Sequence, residues 1–359
     1  MTLREQELLR IISDNPQISQ QELADELGIT RSSVGVHISN LMKKGYITGK
    51  GYIVRQRPYV AVVGGVTRDI GGRPFKALVP QDSNPAKIRV NIGGVGRNIA
   101  HNMSLLGLDV RLVTALAEDD FAPVVQQSCR SLGIDLSGAL TVPGGVTATY
   151  LYVLNGDGDM EVALVDMDIN DHITPGFLAR RQKLLDGAQL VVIDTNIPEE
   201  SIVWLAENCK APIFADPVST AKAEKLKEAL GKLHTVKPNR MEAEILTGIA
   251  VTDEGSMKAA AQAMLDTGLQ RVFLSLGADG VYCADHKGGQ VVPCVKAELR
   301  NATGAGDAFM GALAWAYLED YDLVSSAKAG LAASAIAMEG EETVNPDMAV
   351  NTVKLRYNL

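Results

Sequence analysis

The spacing of hydrophobic residues changes character along this 359-residue chain, and each change marks a boundary. From Arg4 onward, Leu8, Leu9, Ile11 and Ile12 fall on one helical face, and "NPQIS" ends the run. Ser19 and Glu22 stand three apart ahead of "LADEL", the pattern of a capping box that opens a second helix. Gly28 supplies a tight turn, and Thr30 caps a third helix that ends at Gly45. "YITGKGYIV" then alternates about Gly49-Lys50-Gly51 and predicts a short hairpin. "VRQRPYV" reads as a linker, because Pro58 disfavours helix before it.

Past Pro58, short Val/Ile-rich runs alternate with helical periodicity. Strands are predicted over 59–64, 109–114, 190–194, 212–216, 234–237 and 271–276. Helices are predicted over 97–107, 120–132, 199–209, 220–231, 240–247, 254–267, 305–319 and 323–339. This alternation is the α/β class: a mostly parallel sheet covered by helices, with ligands beyond the carboxyl ends of the strands. One stretch breaks the rhythm. "TATYLYVLNGDGDMEVALVD" (147–166) reads strand, turn, strand, either a lid or dimer flap or an edge hairpin of the main sheet. Two domains follow, 1–57 and 58–359.

Composition sharpens that division. Net charge is −9, which argues against a chain coated with nucleic acid. Residues 1–57, however, hold eight Lys/Arg against six Asp/Glu, and no acidic residue lies between Thr30 and Arg57. A basic segment on an acidic body marks a nucleic-acid-facing module. Cysteines 129, 209, 283 and 294 form no C-x-x-C pair, so free thiols in a reducing cytoplasm are expected. No signal-peptide pattern and no membrane-length apolar run is present, so no membrane partner is expected.

Three stretches carry candidate chemistry. In "NIGGVGRNIAHN", Gly93, Gly94 and Gly96 clear the backbone ahead of a helix. A dinucleotide fingerprint would need glycine where Ile99 stands. In "HTVKPNRMEAE", Asn239 and Glu242 lie one turn apart; they suit Mg²⁺ through water, and equally suit an N-cap with a first-turn acid. In "TGAGD", Gly304, Ala305 and Gly306 expose consecutive N–H groups at a helix start, an anion site. A carboxylate at Asp307 would repel an anion there, so a pure cap is a poor use of it. A base that takes a proton from an attacking hydroxyl fits better.

"GGVGRNIA", "KPNRMEAE" and "NATGAGDAF", in this order, resemble the PfkB/ribokinase family of sugar and nucleoside kinases over about residues 59–350. The resemblance implies a ribokinase-like fold with lid segments near 66–92 and 147–166, ATP and Mg²⁺ as cofactors, and Asp307 as catalytic base with Gly304, Ala305 and Gly306 as anion hole. It implies Asn239 and Glu242 for Mg²⁺ and phosphates, Ser275 and Gly277 beside the nucleotide, and Asp69, Gly93, Gly94 and Asn98 on sugar hydroxyls. Asn301 and Ala302 depart from the family's usual Asp and Thr, which puts a K⁺ site in doubt. Within the family, "SNPAKIRVNIGGVGRNIAHN", "DMDIN", "DTNIPEE" and "FADPVSTAK" resemble the pseudouridine-phosphorylating branch. That implies transfer to a ribose 5′-hydroxyl, with Ser83, Asn84, Lys87 and Asp166, and also Lys222, as positions that could meet the base.

Residues 3–54 resemble a winged helix-turn-helix. In that family the third helix enters the major groove, which here implies Arg31, Ser32, Ser33, His37 and Asn40 at base edges and Lys43, Lys44 and Lys50 at phosphates. A helical dimerisation module is the plainer alternative, and a homodimer is expected from either. Three functions remain in view: a pseudouridine-type nucleoside kinase with a DNA-binding module, a regulator that uses a kinase fold to sense a ligand, and a kinase for another nucleoside or sugar.

Overall fold

The computed structural model describes residues 1–49, 58–155 and 159–357. It divides into two units, Met1–Pro58 and Tyr59–Leu359.

In the first unit, α1 (Leu3–Asp14), α2 (Gln20–Leu27) and α3 (Arg31–Lys43) pack on one core. Local chemistry sets their ends. Thr2/Glu5 and Ser19/Glu22 both close capping boxes, Thr30 accepts the Ser33 N–H, and Gly28 takes the left-handed conformation (φ 61°) after α2. Val34, Ile38 and Leu41 turn one stripe of α3 inward against Leu8, Ile12 and Leu23. The predicted hairpin over 46–54 lies largely outside the described residues, as does Lys50.

In the second unit the strands run in chain order as follows: β1 (Val60–Val63), β2 (Thr67–Pro74), β3 (Ala86–Gly93), β4 (Val110–Val113), β5 (Ala115–Ala117), β6 (Leu140–Val142), β7 (Thr149–Leu154), β8 (Met160–Asp166), β9 (Leu190–Asp194), β10 (Ile213–Asp216), β11 (Thr235–Val236), β12 (Arg271–Ser275), β13 (Val281–Asp285) and β14 (Gly288–Val292). Eight form the main sheet in the order β14-β13-β12-β11-β10-β9-β1-β4. Its strands from β12 to β4 pair in parallel, and the β13–β14 hairpin adds an antiparallel edge that periodicity did not reveal. The main helices are α4 (Val95–Leu105), α5 (Ala122–Ser131), α6 (Pro175–Ala179), α7 (Gln182–Asp186), α8 (Glu199–Asn208), α9 (Thr220–Ala223), α10 (Arg240–Thr247), α11 (Glu254–Asp266), α12 (Ala305–Leu318), α13 (Leu323–Met338) and α14 (Val350–Tyr357).

Strands such as VAVV and the LVVI of LVVID are continuous apolar runs because both faces are covered. Val60, Val62, Leu190 and Val192 enter one core layer; Ala61, Val63, Val191 and Ile193 enter the other. The predicted helix over 220–231 is shorter than expected. It stops at Ala223 and continues as 3₁₀ turns at Glu224–Leu226 and Leu230–Lys232. Ala223, Leu226 and Ala229 are buried at a spacing of three, which suits the 3₁₀ period, and Leu230 is buried beside them.

The hairpin over 147–166 is neither isolated nor an edge of the main sheet. It pairs with the β2–β3 ribbon in a separate four-stranded sheet, β3-β2-β7-β8. No helix among the described residues is long and apolar enough to cross a membrane.

Candidate active site

The parallel strands bring their carboxyl ends to one edge, and the charged residues collect there. Asp194 ends β9 and Asp216 ends β10, directly opposite one another in the parallel register. Lys237 follows β11 on the other side of β10. All three are buried. Asp194 is a staple: its Oδ2 accepts the N–H of Gly65 (3.0 Å) and of Gly96 (2.6 Å), and its Oδ1 accepts that of Asn196 (2.8 Å). It thereby ties the exits of β1 and β9 to the start of α4. Gly64 and Gly96 are glycines because this packing is close. A Cβ on Gly64 would lie 2.5 Å from the Asp194 carboxylate, and one on Gly96 would lie 2.8 Å from Gly64 Cα.

Asp307 sits in the first turn of α12 and is 9% exposed. It caps nothing: no side chain caps this helix, and Gly304 at the N-cap takes φ 84°. A side chain at Gly304 would collide with the Thr343 carbonyl, 2.0 Å from its Cβ position. The first-turn N–H groups of α12 are therefore free of side-chain caps, as an anion site requires. Asn98 Nδ2 reaches across from α4 and donates to Asp307 Oδ2 at 3.0 Å. Burial, with the charge of Asp216 adding to it, pushes the Asp307 carboxyl up to about 7. The Asn98 hydrogen bond and the Lys237 charge oppose that rise.

Lys237 and Asp216 had been given no role from the sequence, although Lys237 opens the quoted "KPNRMEAE". Lys237 Nζ lies 3.2 Å from Asp216 Oδ2. It also lies 3.3 Å from where a Gly306 Cβ would be, so the ammonium sits against the first turn of α12. The charges of Asp216, Glu242 and Asp307 outweigh burial and raise its pKa. The missed signal was a lysine directly before a helix start, at a strand's carboxyl end.

Asn239 and Glu242 form a reciprocal capping box. Asn239 Oδ1 accepts the Glu242 N–H, and Glu242 Oε2 accepts the Asn239 N–H, both at 2.9 Å. Locally, the cap reading of this pair is therefore the geometry observed. Burial pushes the Glu242 carboxyl above its usual range, and Asp216 adds to that. Ser275 lies beside Asn239 across a parallel bridge, and its N–H donates to the Pro238 carbonyl at 2.8 Å. Gly277 turns the next loop with φ 68°. Asn301 serves its own loop: Oδ1 accepts the Thr303 N–H, and Nδ2 donates to the Glu341 carbonyl.

On the lid sheet the pleat sorts the remaining residues. Asn91, Asp69, Tyr150 and Val165 are cross-strand partners in one row, and Arg89, Gly71, Tyr152 and Ala163 form the next on the same face. Asp69 lies against Gly93, where a Cβ would be 2.0 Å from its carboxylate, and burial raises its pKa. Gly94 (φ 97°) packs against Gly65. Lys87 shares the Asp69 face further out, where Arg73, Lys87 and Arg89 line a concavity of about 320 Å³.

Asp166 pairs with Thr149 and falls on the opposite face, so the register separates it from Asp69. Ser83 and Asn84 lie in the exposed β2–β3 connection. Asn84 closes that loop by accepting the Val79 N–H and donating to the Val79 and Asp82 carbonyls. None of these three makes a hydrogen bond to Asp307 or Asp69. Lys222 instead donates to Asn196 Oδ1 at 2.5 Å, behind the Asp194 staple.

In the first unit, Arg31, Ser32 and Lys43 are exposed, and Ser33 and Asn40 are half-buried. Val36 and Ser39, unremarked in the sequence, share the exposed stripe with Ser32 and Lys43. His37 is half-buried and has its Nδ1 buried without a hydrogen bond. The expectation for Lys44 needs correction. Its Nζ bonds both oxygens of the buried Glu5, at 2.8 and 2.9 Å, and ties the end of α3 to α1. A lysine committed to a buried carboxylate is a structural cation before it is a phosphate contact.

A buried carboxyl at an uncapped helix start, at the mouth of a parallel α/β sheet with its own lid, is the arrangement expected of an ATP-dependent sugar or nucleoside kinase. Comparison with known proteins agrees. The model of the pfkB family carbohydrate kinases matches residues 57–349, and a winged helix-turn-helix DNA-binding model matches residues 1–48. The chain belongs to the pfkB family. It is 38% identical to the pseudouridine kinase of Escherichia coli K12 over 85% of this chain and 98% of that one. It is 37% identical to the uncharacterised sugar kinase YeiI of the same organism over 98% of both. Among solved structures, a carbohydrate kinase from Agrobacterium tumefaciens superposes with TM-score 0.75 at 28% identity, covering 84% of this chain and 98% of that one.

Proposed function

We propose that this chain transfers the γ-phosphoryl group of ATP to the 5′-hydroxyl of pseudouridine, with Asp307 as general base. The observation that carries the reading is Asp307 itself, buried, free of capping duty and holding its proton up to about 7. A carboxylate formed near neutral pH takes the hydroxyl proton as the oxygen attacks. The α12 N–H groups and the Lys237 ammonium then meet the charge on the transferring phosphoryl. Asp69, Gly93, Gly94 and Asn98 hold the sugar, while Ser275 and Gly277 flank the nucleotide. The substrate rests on the likeness to pseudouridine kinase over nearly that enzyme's full length.

Mg²⁺ fits beside Glu242. Asn239 spends its side-chain oxygen on the cap and Glu242 spends Oε2 there, but Glu242 stays a buried acid beside a second acid, Asp216, with Lys237 the cation near both. When bound through Glu242 and water, the ion neutralises phosphate charge.

The first unit binds double-stranded DNA through the exposed stripe of α3. The lid supports a homodimer. Rows Val90–Ile70–Leu151–Leu164 and Ile88–Gly72–Val153–Val162 make one lid face apolar, and Leu164 is 64% exposed. All four cysteines are free, in keeping with a reducing cytoplasm.

A panel of pseudouridine, uridine, ribose and fructose, followed by ADP release, tests the substrate. Preference for pseudouridine supports the reading, and equal rates with uridine contradict it. The regulator reading keeps its place through the helix-turn-helix match. It predicts pseudouridine-dependent DNA binding that survives Asp307→Ala.

A further inference from the structure

Arg97 is an anomaly. The residue is 7% exposed, and its guanidinium makes no ion pair with any acid among the described residues. Its partners are neutral: Nη1 donates to Asn98 Oδ1 at 3.3 Å and the Ile92 carbonyl at 3.4 Å, and Nη2 donates to Ser128 Oγ at 3.1 Å. Nε has no partner at all. A buried cation this poorly satisfied is costly, and packing alone would be served as well by an apolar side chain.

The contact with Asn98 supplies a use. An amide's oxygen and nitrogen occupy equivalent space, so its neighbours decide which faces which way. Arginine only donates. It therefore holds Asn98 Oδ1 toward itself and turns Nδ2 toward Asp307, where the 3.0 Å hydrogen bond forms. The reversed amide would set an oxygen against the Asp307 carboxylate.

We propose that Arg97 is a positioning residue that fixes the amide of Asn98 and so keeps Asp307 ready to act as the base. This rests on the reading of Asp307 given above. The other charges facing Asp307 come from other elements: Lys237 beyond β11, Asp216 on β10 and Asp194 on β9. Asp69, Glu342 and Cys129 face Arg97 itself. None of these can orient an amide that they do not touch.

The test is the pH profile of kcat in the full chain for Arg97→Met, Asn98→Ala and the double variant, with thermal melts alongside. Arg97→Met should lower kcat about tenfold at pH 7 and less than threefold at pH 9, with KM for ATP unchanged. Arg97→Lys should recover part of the loss. In the Asn98→Ala background, Arg97→Met should add nothing. If Arg97→Met melts below the assay temperature, Ser128→Ala carries the comparison with the same pH signature at smaller amplitude. A loss equal at every pH, or additive with Asn98→Ala, overturns the inference. Asp307→Asn separates the two claims. If it abolishes turnover while Arg97→Met leaves the profile unmoved, the base stands and the positioning role falls. If it retains turnover, the base reading falls first.

Discussion

Replacing Asp307 by Asn should make the ligand-free protein more stable while removing its activity. The Asp307 carboxyl rises from 3.8 in an unstructured chain to about 7 when folded. The sign follows directly. An acid whose pKa is raised by folding is ionised in both states above pH 7, and there the folded state bears the full cost of burying the charge. Below the unfolded value both states are protonated and the cost is gone. The shift is roughly three pH units, so the net cost is about 4 kcal/mol at pH 8, with the opposing attraction of Lys237 already included in it. Asn keeps an oxygen for the Asn98 donor and no charge. Thermal melts of wild type and Asp307→Asn without nucleotide, at pH 5, 6, 7 and 8, should show the variant melting several degrees higher at pH 8, since each kcal/mol is roughly 2–4 °C for a domain of this size class. The gap should close toward pH 5. A variant less stable at pH 8, or a gap indifferent to pH, would refute the assignment of a buried, strained carboxylate at this position.

Other outcomes follow from particular contacts. Gly304→Ala meets both φ 84° and the Thr343 carbonyl, so it should cost on the order of 2 kcal/mol or more in stability and most of the activity, read by urea melts and ADP release. Lys44→Ala should lower the stability of the first unit by freeing buried Glu5, whereas Lys43→Ala should leave stability unchanged and reduce the salt dependence of DNA binding by about one counterion, read by melts and by titration at several salt concentrations. Asp69→Ala should raise KM for the nucleoside far more than KM for ATP in steady-state assays. Leu164→Asp should shift light-scattering mass toward the monomer if the apolar lid face is covered by a second copy.

Much of this was legible in the chain because period and function coincide. The buried parallel strands are continuous Val/Ile runs, and the cap residues Ser19, Thr30 and Asn239 mark helix starts without help from tertiary structure. The three glycine- or Asn-bearing stretches were readable because close backbone approach leaves few residue choices. Other features needed the fold. The β13–β14 edge was hidden because "GGQVV" is glycine-rich and short. Asp216 and Lys237 look like ordinary polar residues until β10 and β11 lie side by side. Asp166 read as a position that could meet the base until the lid register put it on the face opposite Asp69. Lys44 read as a free cation because its partner, Glu5, is 39 residues away.

Wild type and Asp307→Ala, incubated with ATP and pseudouridine, should be followed for ADP release and for the position of the new phosphate by phosphorus NMR. Wild type should form the 5′-phosphate with matching ADP, and the variant should fall to background. Equal turnover in the two proteins, or a phosphate on any other hydroxyl, would contradict the proposed reaction.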